Sequence, residues 1–170
     1  MFNSLKFFAG KLLGLMLFFL LTQGKMFAQA SEQINWISFS QLNDSLKTNP
    51  KKVFVNFYAD WCTYCKEMDR TTFTNKKVIE ILNKDYYAVK MNIESRDTVL
   101  FGDQTFVNKR YKRVNPVHEI ALLMAGRKNK PFSLPAFVFL DEKFIATARY
   151  FQFLDASSMV NILARQEQSN

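Results

Sequence analysis

Residues 52–59 constrain the fold of this chain more than any other part of its sequence. They read Lys-Val-Phe-Val-Asn-Phe-Tyr-Ala, a run of β-branched and aromatic residues with almost no polar break. Such a run is typical of a strand buried on both faces, as in a sheet that helices cover on each side. The spacing then becomes helical, because Cys65, Met68 and Asp69 fall at positions i, i+3 and i+4. The sequence therefore predicts a buried strand that leads into a helix, with Cys62 at the junction.

The rest of the chain shows the alternation of an α/β fold. Further strands are predicted at residues 34–38, 86–93, 136–140 and 144–150. Helices are predicted at 40–48 with Ser40 as the cap, at 76–84, from Asn115-Pro116 to 125, and after Asp155 as a cap. The order β-α-β-α-β-α-β-β-α predicts a central mixed β-sheet flanked by helices, with parallel crossovers first and a hairpin last.

The first thirty residues have the order of a secretory signal peptide. They contain no acidic residue, carry Lys6 and Lys11 early, continue with an apolar run at 12–21, and end in Ala28-Gln29-Ala30. We expect cleavage after Ala30 or after Ala28, although the run could also remain as an uncleaved membrane anchor. The sequence thus predicts a signal peptide at 1–30, one domain at 31–170, a periplasmic or secreted location, and membrane contact only during export.

The charge of the chain is a poor match for nucleic acid. Its formal net charge is +8, and Lys6, Lys11 and Lys25 leave with the signal segment. The remainder is mildly basic, without an arginine-rich helix or a basic stripe interleaved with aromatic residues. We therefore predict that nucleic acid is not a partner.

The cysteine pair carries the chemistry. A bridge between Cys62 and Cys65 closes a very short loop, so it removes little entropy from the unfolded chain and is a poor structural staple. Redox exchange and metal binding are better reasons for the pair. At a helix N-terminus the Cys62 thiol has a lowered pKa and becomes a nucleophilic thiolate. Cys65, one turn later, is placed to attack a mixed disulfide on Cys62 and release the partner.

A metal site at the pair lacks further ligands. Two thiolates supply half of a tetrahedral zinc site, but the chain has no other Cys and one histidine, His118. Copper carriage would have Met68 as its one obvious soft neighbour. We therefore predict no metal and no cofactor besides the Cys62–Cys65 disulfide itself. His118 is expected to be exposed, in the first turn of the helix after Pro116.

A resemblance to a known family rests on these residues. The stretch Val-Phe-Val-Asn-Phe-Tyr-Ala-Asp-Trp-Cys-Thr-Tyr-Cys-Lys at 53–66 resembles the strand and active-site signature of the thioredoxin family. Its continuation through Glu-Met-Asp69, with Thr72-Phe73, is similar to the C-terminal thioredoxin-like domain of thiol:disulfide interchange protein D and its small exported relatives. Leu134-Pro135-Ala136 is similar to the family's cis-proline loop.

The resemblance implies a thioredoxin fold and an exported thiol–disulfide oxidoreductase. Cys62 is then the attacking thiol, Cys65 the resolving thiol, and Trp61 an exposed wall on which partners rest. Leu134 and a cis Pro135 face the incoming client. The Trp before the first cysteine favours a protein-disulfide reductase or electron relay over an oxidase. Its partners would be client proteins with disulfides and a membrane thiol electron carrier.

Two positions near the pair depart from the family pattern, and a third matches it. Asn56 stands where many thioredoxins have a buried Asp that accepts the proton of the second cysteine. Asp69 matches a Glu near the active site of the interchange-protein domain, and it could partly substitute for the missing Asp as proton acceptor. Lys90 matches the lysine that accompanies the missing acid, so it either pairs with Asp69 or reaches solvent.

The segment 94–130 is much longer than in a minimal thioredoxin. Phe106, Val107, Tyr111 and Val114 fit one apolar helical stripe, so we expect an extended helical insertion before the cis-proline strand. The basic cluster of Lys109, Arg110, Lys112 and Arg113 is expected to be a solvated helical face or a docking surface. A thioredoxin-fold binding module that uses this insertion to hold a partner, with little turnover, is therefore the alternative function.

Overall fold

The computed structural model of the protein describes residues 32–168, and the predicted signal segment at 1–30 lies outside them. Within the described residues, no helix combines the length and the apolar character needed to cross a membrane. The strands are β1 (Trp36–Ile37), β2 (Lys52–Tyr58), β3 (Tyr86–Asn92), β4 (Val99–Phe101), β5 (Gln104–Phe106), β6 (Ala136–Leu140) and β7 (Ala146–Tyr150). The helices are α1 (Phe39–Thr48), α2 (Thr63–Arg70), α3 (Lys76–Asp85), α4 (Glu119–Ala125) and α5 (Ala156–Gln168).

Five of the strands form the mixed sheet that the sequence predicts, in the order β1-β3-β2-β6-β7. The strands β1, β3 and β2 run parallel, whereas β6 pairs antiparallel with both β2 and β7. In the β2–β6 register Phe57 lies opposite Ala136. The end of β2 and the start of β6 therefore meet at one edge of the sheet, where the chain turns toward the cysteines.

Helices cover both faces of the sheet, which explains why β2 is apolar on both sides. On one face, Val53, Val55 and Phe57 pack in a cluster with residues of α1 and α4. On the other face, Phe54 packs in a second cluster with residues of α2, α3 and α5. The prediction of a sheet sandwiched between helices is thus confirmed.

Side-chain caps set the helix boundaries. At α1 the cap is Ser38, not Ser40 as predicted, because Ser38 Oγ accepts the amide N–H of Gln41 while Gln41 Oε1 accepts the N–H of Ser38. This reciprocal capping box satisfies two N–H groups that the first helical turn leaves unpaired. At α5 the predicted cap is confirmed, since Asp155 Oδ1 accepts the amide of Ser158. That hydrogen bond, more than any other contact, holds the pKa of Asp155 below its ordinary value.

The segment 94–130 is not the extended helical insertion that the sequence predicted. It contains a two-stranded hairpin, β4–β5, followed by irregular backbone and the short helix α4. The hairpin turns at Gly102, whose φ of +54° suits a residue without Cβ. The predicted stripe at 106–114 does not form a buried helical face, because Tyr111 is 43% and Val114 85% exposed. Asn115 has a φ of 53°, which ends any helical continuation there.

His118 anchors the insertion and corrects a second expectation. It is completely buried rather than exposed, and it is the N-cap residue of α4. Its Nδ1 accepts the amide N–H of Ile120 at 3.3 Å, so the proton is on Nε2, which donates to the carbonyl of Asp97 at 3.0 Å. One imidazole therefore ties the loop after β3 to the start of α4.

Candidate active site

The cysteine pair lies where β2 passes into α2. Cys62 is the N-cap residue of the helix, and its Sγ accepts the backbone N–H of Cys65 at 3.1 Å. The two residues are joined by a disulfide, with their Cα atoms 5.3 Å apart. A sulfur at this position can accept hydrogen bonds from the backbone amides that the first helical turn leaves unpaired. These hydrogen bonds favour the thiolate over the thiol.

Burial does not distinguish the two cysteines in the disulfide form. Both residues are 5% exposed and belong to the core cluster that also contains Phe57 and Ala136. The spacing of the pair would suit one exposed thiol with the other behind it, but the disulfide form does not show this difference. The asymmetry lies instead in the hydrogen bonding, because the backbone amide of Cys65 donates to the sulfur of Cys62.

Trp61 forms an exposed surface directly before Cys62. Its side chain is 59% exposed, and its Nε1 donates a hydrogen bond to Glu94 Oε1 at 2.8 Å. Sequence reasoning identified Trp61 but missed Glu94. The signal was available, because Glu94 follows β3, which runs parallel to β2, so both residues lie at the same sheet edge. The contact fixes the orientation of the indole beside the disulfide.

Lys90 links Asn56, its partner in the sheet, to Asp69 on α2. Asn56 is 2% exposed, and in the sheet it lies opposite Lys90. Lys90 Nζ contacts Asp69 Oδ1 at 2.7 Å, so of the two alternatives for Lys90 the structure shows the ion pair. The ammonium also lies 4.9 Å from the centre of the Tyr58 ring. Burial, followed by the charges of Asp60 and Asp69, raises the pKa of Tyr58.

The loop before β6 lies at the same edge of the sheet. Its Leu134–Pro135 peptide bond is cis, as the resemblance implies. An arginine that sequence reasoning missed holds this loop, because Arg127 Nη2 donates to Ser133 Oγ at 2.6 Å. The same guanidinium stacks over the ring of Phe151 at 4.1 Å. Arg127 thereby joins the end of α4, the cis-proline loop and the segment after β7.

The insertion forms a groove of about 600 Å³ along Trp61. One side comes from the end of β3 and the indole, and the other from the irregular segment before α4 and from the chain before the cis-proline loop. The side chains that line the groove include Trp61, Glu94, Arg110, Val114, Leu122 and Lys130. Sequence reasoning expected a helical basic face here and therefore did not predict a concave surface.

A metal site has no support in the described part of the chain. Among residues 32–168, no group of three or more His, Cys, Asp or Glu side chains is arranged to hold a metal ion. His118, the single histidine, is occupied on both ring nitrogens by backbone groups.

Comparisons with known proteins agree with this geometry. Residues 35–141 match the family described as thioredoxin-like. Thiol:disulfide interchange protein DsbD of Pectobacterium atrosepticum is 31% identical over 121 residues, which cover 70% of this chain and 17% of that protein. The chain spans less than a fifth of the length of the curated relatives it matches.

Solved structures share the fold at low sequence identity. A thioredoxin from Thermus thermophilus superposes with a TM-score of 0.56 at 17% identity, covering 81% of this chain and 88% of that one. The DsbH oxidoreductase gives a TM-score of 0.54 at 18% identity, covering 87% and 96%. The sheet order and the flanking helices are thus those of a thioredoxin fold.

Proposed function

Because the chain belongs to the thioredoxin-like family, we propose that it is a thiol–disulfide oxidoreductase in which Cys62 attacks and Cys65 resolves. The observation that carries the proposal is the N-cap position of Cys62, whose sulfur accepts an amide N–H beneath the exposed Trp61. We further propose that it is exported and acts as a protein-disulfide reductase or electron relay.

The first step forms a mixed disulfide. In the dithiol form, the Cys62 thiolate attacks one sulfur of a client disulfide, a new bond forms between that sulfur and Cys62 Sγ, and the client S–S bond breaks. The second client sulfur leaves as a thiolate and takes up a proton. The amide of Cys65 and the first turn of α2 stabilise the negative charge on Cys62 before the attack.

The second step releases the client. Cys65 loses its proton and attacks Cys62 Sγ, which restores the Cys62–Cys65 disulfide and expels the remaining client sulfur as a thiol. In sum, two electrons pass from the protein to the client, together with the proton of Cys65 and one proton from solvent. A membrane thiol carrier would return the protein to the dithiol form and become oxidised itself.

Client binding is assigned to the surfaces around the sulfurs. We propose that Leu134 and Pro135 bind an extended segment of the client, which forms hydrogen bonds with the main chain of the cis-proline loop. Trp61, oriented by Glu94, forms the other side of this entry. We also propose that Asn56, Lys90 and Asp69, which the sheet register and an ion pair link, influence the deprotonation of Cys65.

Export is supported by the sequence of the first thirty residues. The charged start, short apolar run and Ala28-Gln29-Ala30 fit a cleaved signal. N-terminal sequencing of the protein from fractionated cells tests this part. A mature chain beginning at Ser31 or Gln29 in the exported fraction is expected, whereas an intact Met1 in the cytosol contradicts export.

The exchange mechanism predicts which variant traps clients. In Cys65→Ala the mixed disulfide on Cys62 cannot be resolved, so adducts with client proteins accumulate at least about tenfold over the wild type. Non-reducing gels and mass spectrometry of the adducts measure this. Cys62→Ala serves as the matched control and should trap few clients. Equal trapping by the two variants contradicts the assigned roles.

The groove along Trp61 favours a second candidate function, a binding module that holds a partner with little turnover. Reduction of insulin with dithiothreitol as the electron source separates the two. Catalytic turnover supports the oxidoreductase, whereas an inert protein supports the module.

A further inference from the structure

Uncompensated positive charge borders the groove beside Trp61. Arg110 and Lys130 line it, and neither takes part in a salt bridge within residues 32–168. Glu94 is the acidic side chain of the lining, and its carboxylate already accepts a hydrogen bond from the indole. The lining thus has two positive side chains and one carboxylate, which is already hydrogen-bonded. This excess of positive charge favours the binding of anionic groups.

Apolar side chains are exposed in the same groove. Val114 is 85% exposed, and Leu122 on α4 and the Trp61 indole are exposed as well. These three side chains line one concavity rather than being scattered over the surface. A concave apolar surface with charges at its border is typical of a site for a polypeptide segment with both kinds of side chain.

The position of the groove links it to the chemistry. Trp61 is both a wall of the groove and the residue directly before Cys62. When a client is joined to Cys62 by a mixed disulfide, the client residues next to its cysteine must lie over the surface around Cys62. An extended chain advances about 3.3 Å per residue, so only the residues close to the client cysteine reach the groove.

We propose that this groove binds an extended segment of the client that carries an acidic and an apolar side chain within a few residues of its reactive cysteine. Arg110 and Lys130 pair with the acidic side chain, while Val114, Leu122 and the indole contact the apolar one. The inference rests on the proposed function and adds to it the class of client, because a thiolate alone does not choose among disulfides.

Matched peptide probes test the proposal by rate. Fluorogenic disulfide dimers of two peptides are used, one with Leu-Glu-Asp on each side of its cysteine and one with Leu-Lys-Lys. Each rate constant is divided by the rate on bis(2-hydroxyethyl) disulfide, which is too small to span the groove. We expect the wild type to reduce the acidic probe about tenfold faster than the basic probe, with the difference decreasing at high salt.

Charge reversal gives the decisive variant. Arg110→Glu combined with Lys130→Glu is expected to remove or invert the preference. The matched control is Lys76→Glu with Lys77→Glu, which changes the net charge equally at exposed positions of α3 outside the groove lining. Equal normalised rates of the wild type on the two probes would overturn the proposed role of the groove. The same holds if the Lys76 and Lys77 control variant loses the preference for the acidic probe to the same extent.

A binding measurement separates this proposal from the proposed function. Peptides with Ser in place of Cys are titrated onto the oxidised protein and followed by fluorescence anisotropy. Tighter binding of the acidic peptide by about tenfold supports the groove even if no disulfide is reduced, an outcome that would overturn the oxidoreductase alone. Equal binding overturns the groove. Self-association that the Arg110 and Lys130 reversal abolishes, or binding to anionic lipid vesicles without any peptide preference, overturns it as well.

Discussion

Asn56 is the residue at which this site departs most from an ordinary thiol–disulfide exchanger. It is buried under α2 and lies opposite Lys90 in the sheet. Its amide cannot serve as a carboxylate acceptor for the proton of Cys65, and the carboxylate of Asp69, four residues after Cys65 on α2, is paired with Lys90. Under the proposed mechanism, Cys65 therefore gives up its proton without an ionisable side chain at position 56.

Asn56→Asp restores an acceptor and should accelerate the resolving step near neutral pH by at least about threefold. The buried carboxylate should also lower the free energy of unfolding, because burial penalises the charged form. Stopped-flow fluorescence of the preformed mixed disulfide measures the rate. Asn56→Ser, which removes the amide without adding an acid, is the matched control. An unchanged rate in Asn56→Asp means that Asp69 or water already accepts the proton.

At the scale of elements, the strands and helices around the cysteines could be predicted and the insertion could not. The residues of β2 and β6 are buried on both faces and carry an unbroken apolar signal. The predicted helix over 76–84 differs from α3 by one residue. In these elements the local pattern and the tertiary burial agree, so the sequence is sufficient.

The prediction of a helix in the insertion is wrong because the apolar residues of this segment contact different neighbours. Phe106 lies in a hairpin strand, whereas Val114 lines the groove. A stripe at helical spacing does not reveal that its members face different directions. The partners of Trp61 and Ser133, namely Glu94 and Arg127, were also missed, since these contacts join segments that are distant in sequence.

His118 stabilises this region as an element-scale contact. His118→Ala removes the cap of α4 and leaves the Asp97 carbonyl and the Ile120 amide unpaired, so it should lower the free energy of unfolding by about 2–3 kcal/mol. His118→Asn can cap the helix without reaching Asp97 and should recover part of the loss. Urea unfolding measures both variants. A loss below about 0.5 kcal/mol in His118→Ala would show that the imidazole is dispensable.

At the scale of the whole molecule, the redox state is coupled to the core. The sulfurs of Cys62 and Cys65 belong to the same buried cluster as β2 and β6. Oxidation and reduction therefore change groups that the folded protein packs against, and the two forms differ in stability by the amount that sets the reduction potential.

A reductase should be more stable in its disulfide form. We expect a standard reduction potential of about −270 mV, as in reducing thioredoxins, when the protein is equilibrated with glutathione buffers. The oxidised protein should also have a higher urea midpoint of unfolding than the reduced protein. The Cys62→Ala/Cys65→Ala double variant should have the same urea midpoint of unfolding with and without reductant. A potential of about −120 mV, together with a more stable reduced form, would make the protein an oxidant instead.

The active site and the groove differ in how the chain encodes them. Cys62 and Cys65 are three positions apart, and one strand-to-helix junction brings them together. The groove is complete only when Trp61, Arg110 and Lys130 converge from separate parts of the sequence. Reactivity is therefore a local property and selectivity a long-range one. A variant that loosens the insertion is therefore expected to lose its discrimination among clients while it still exchanges electrons with small disulfides.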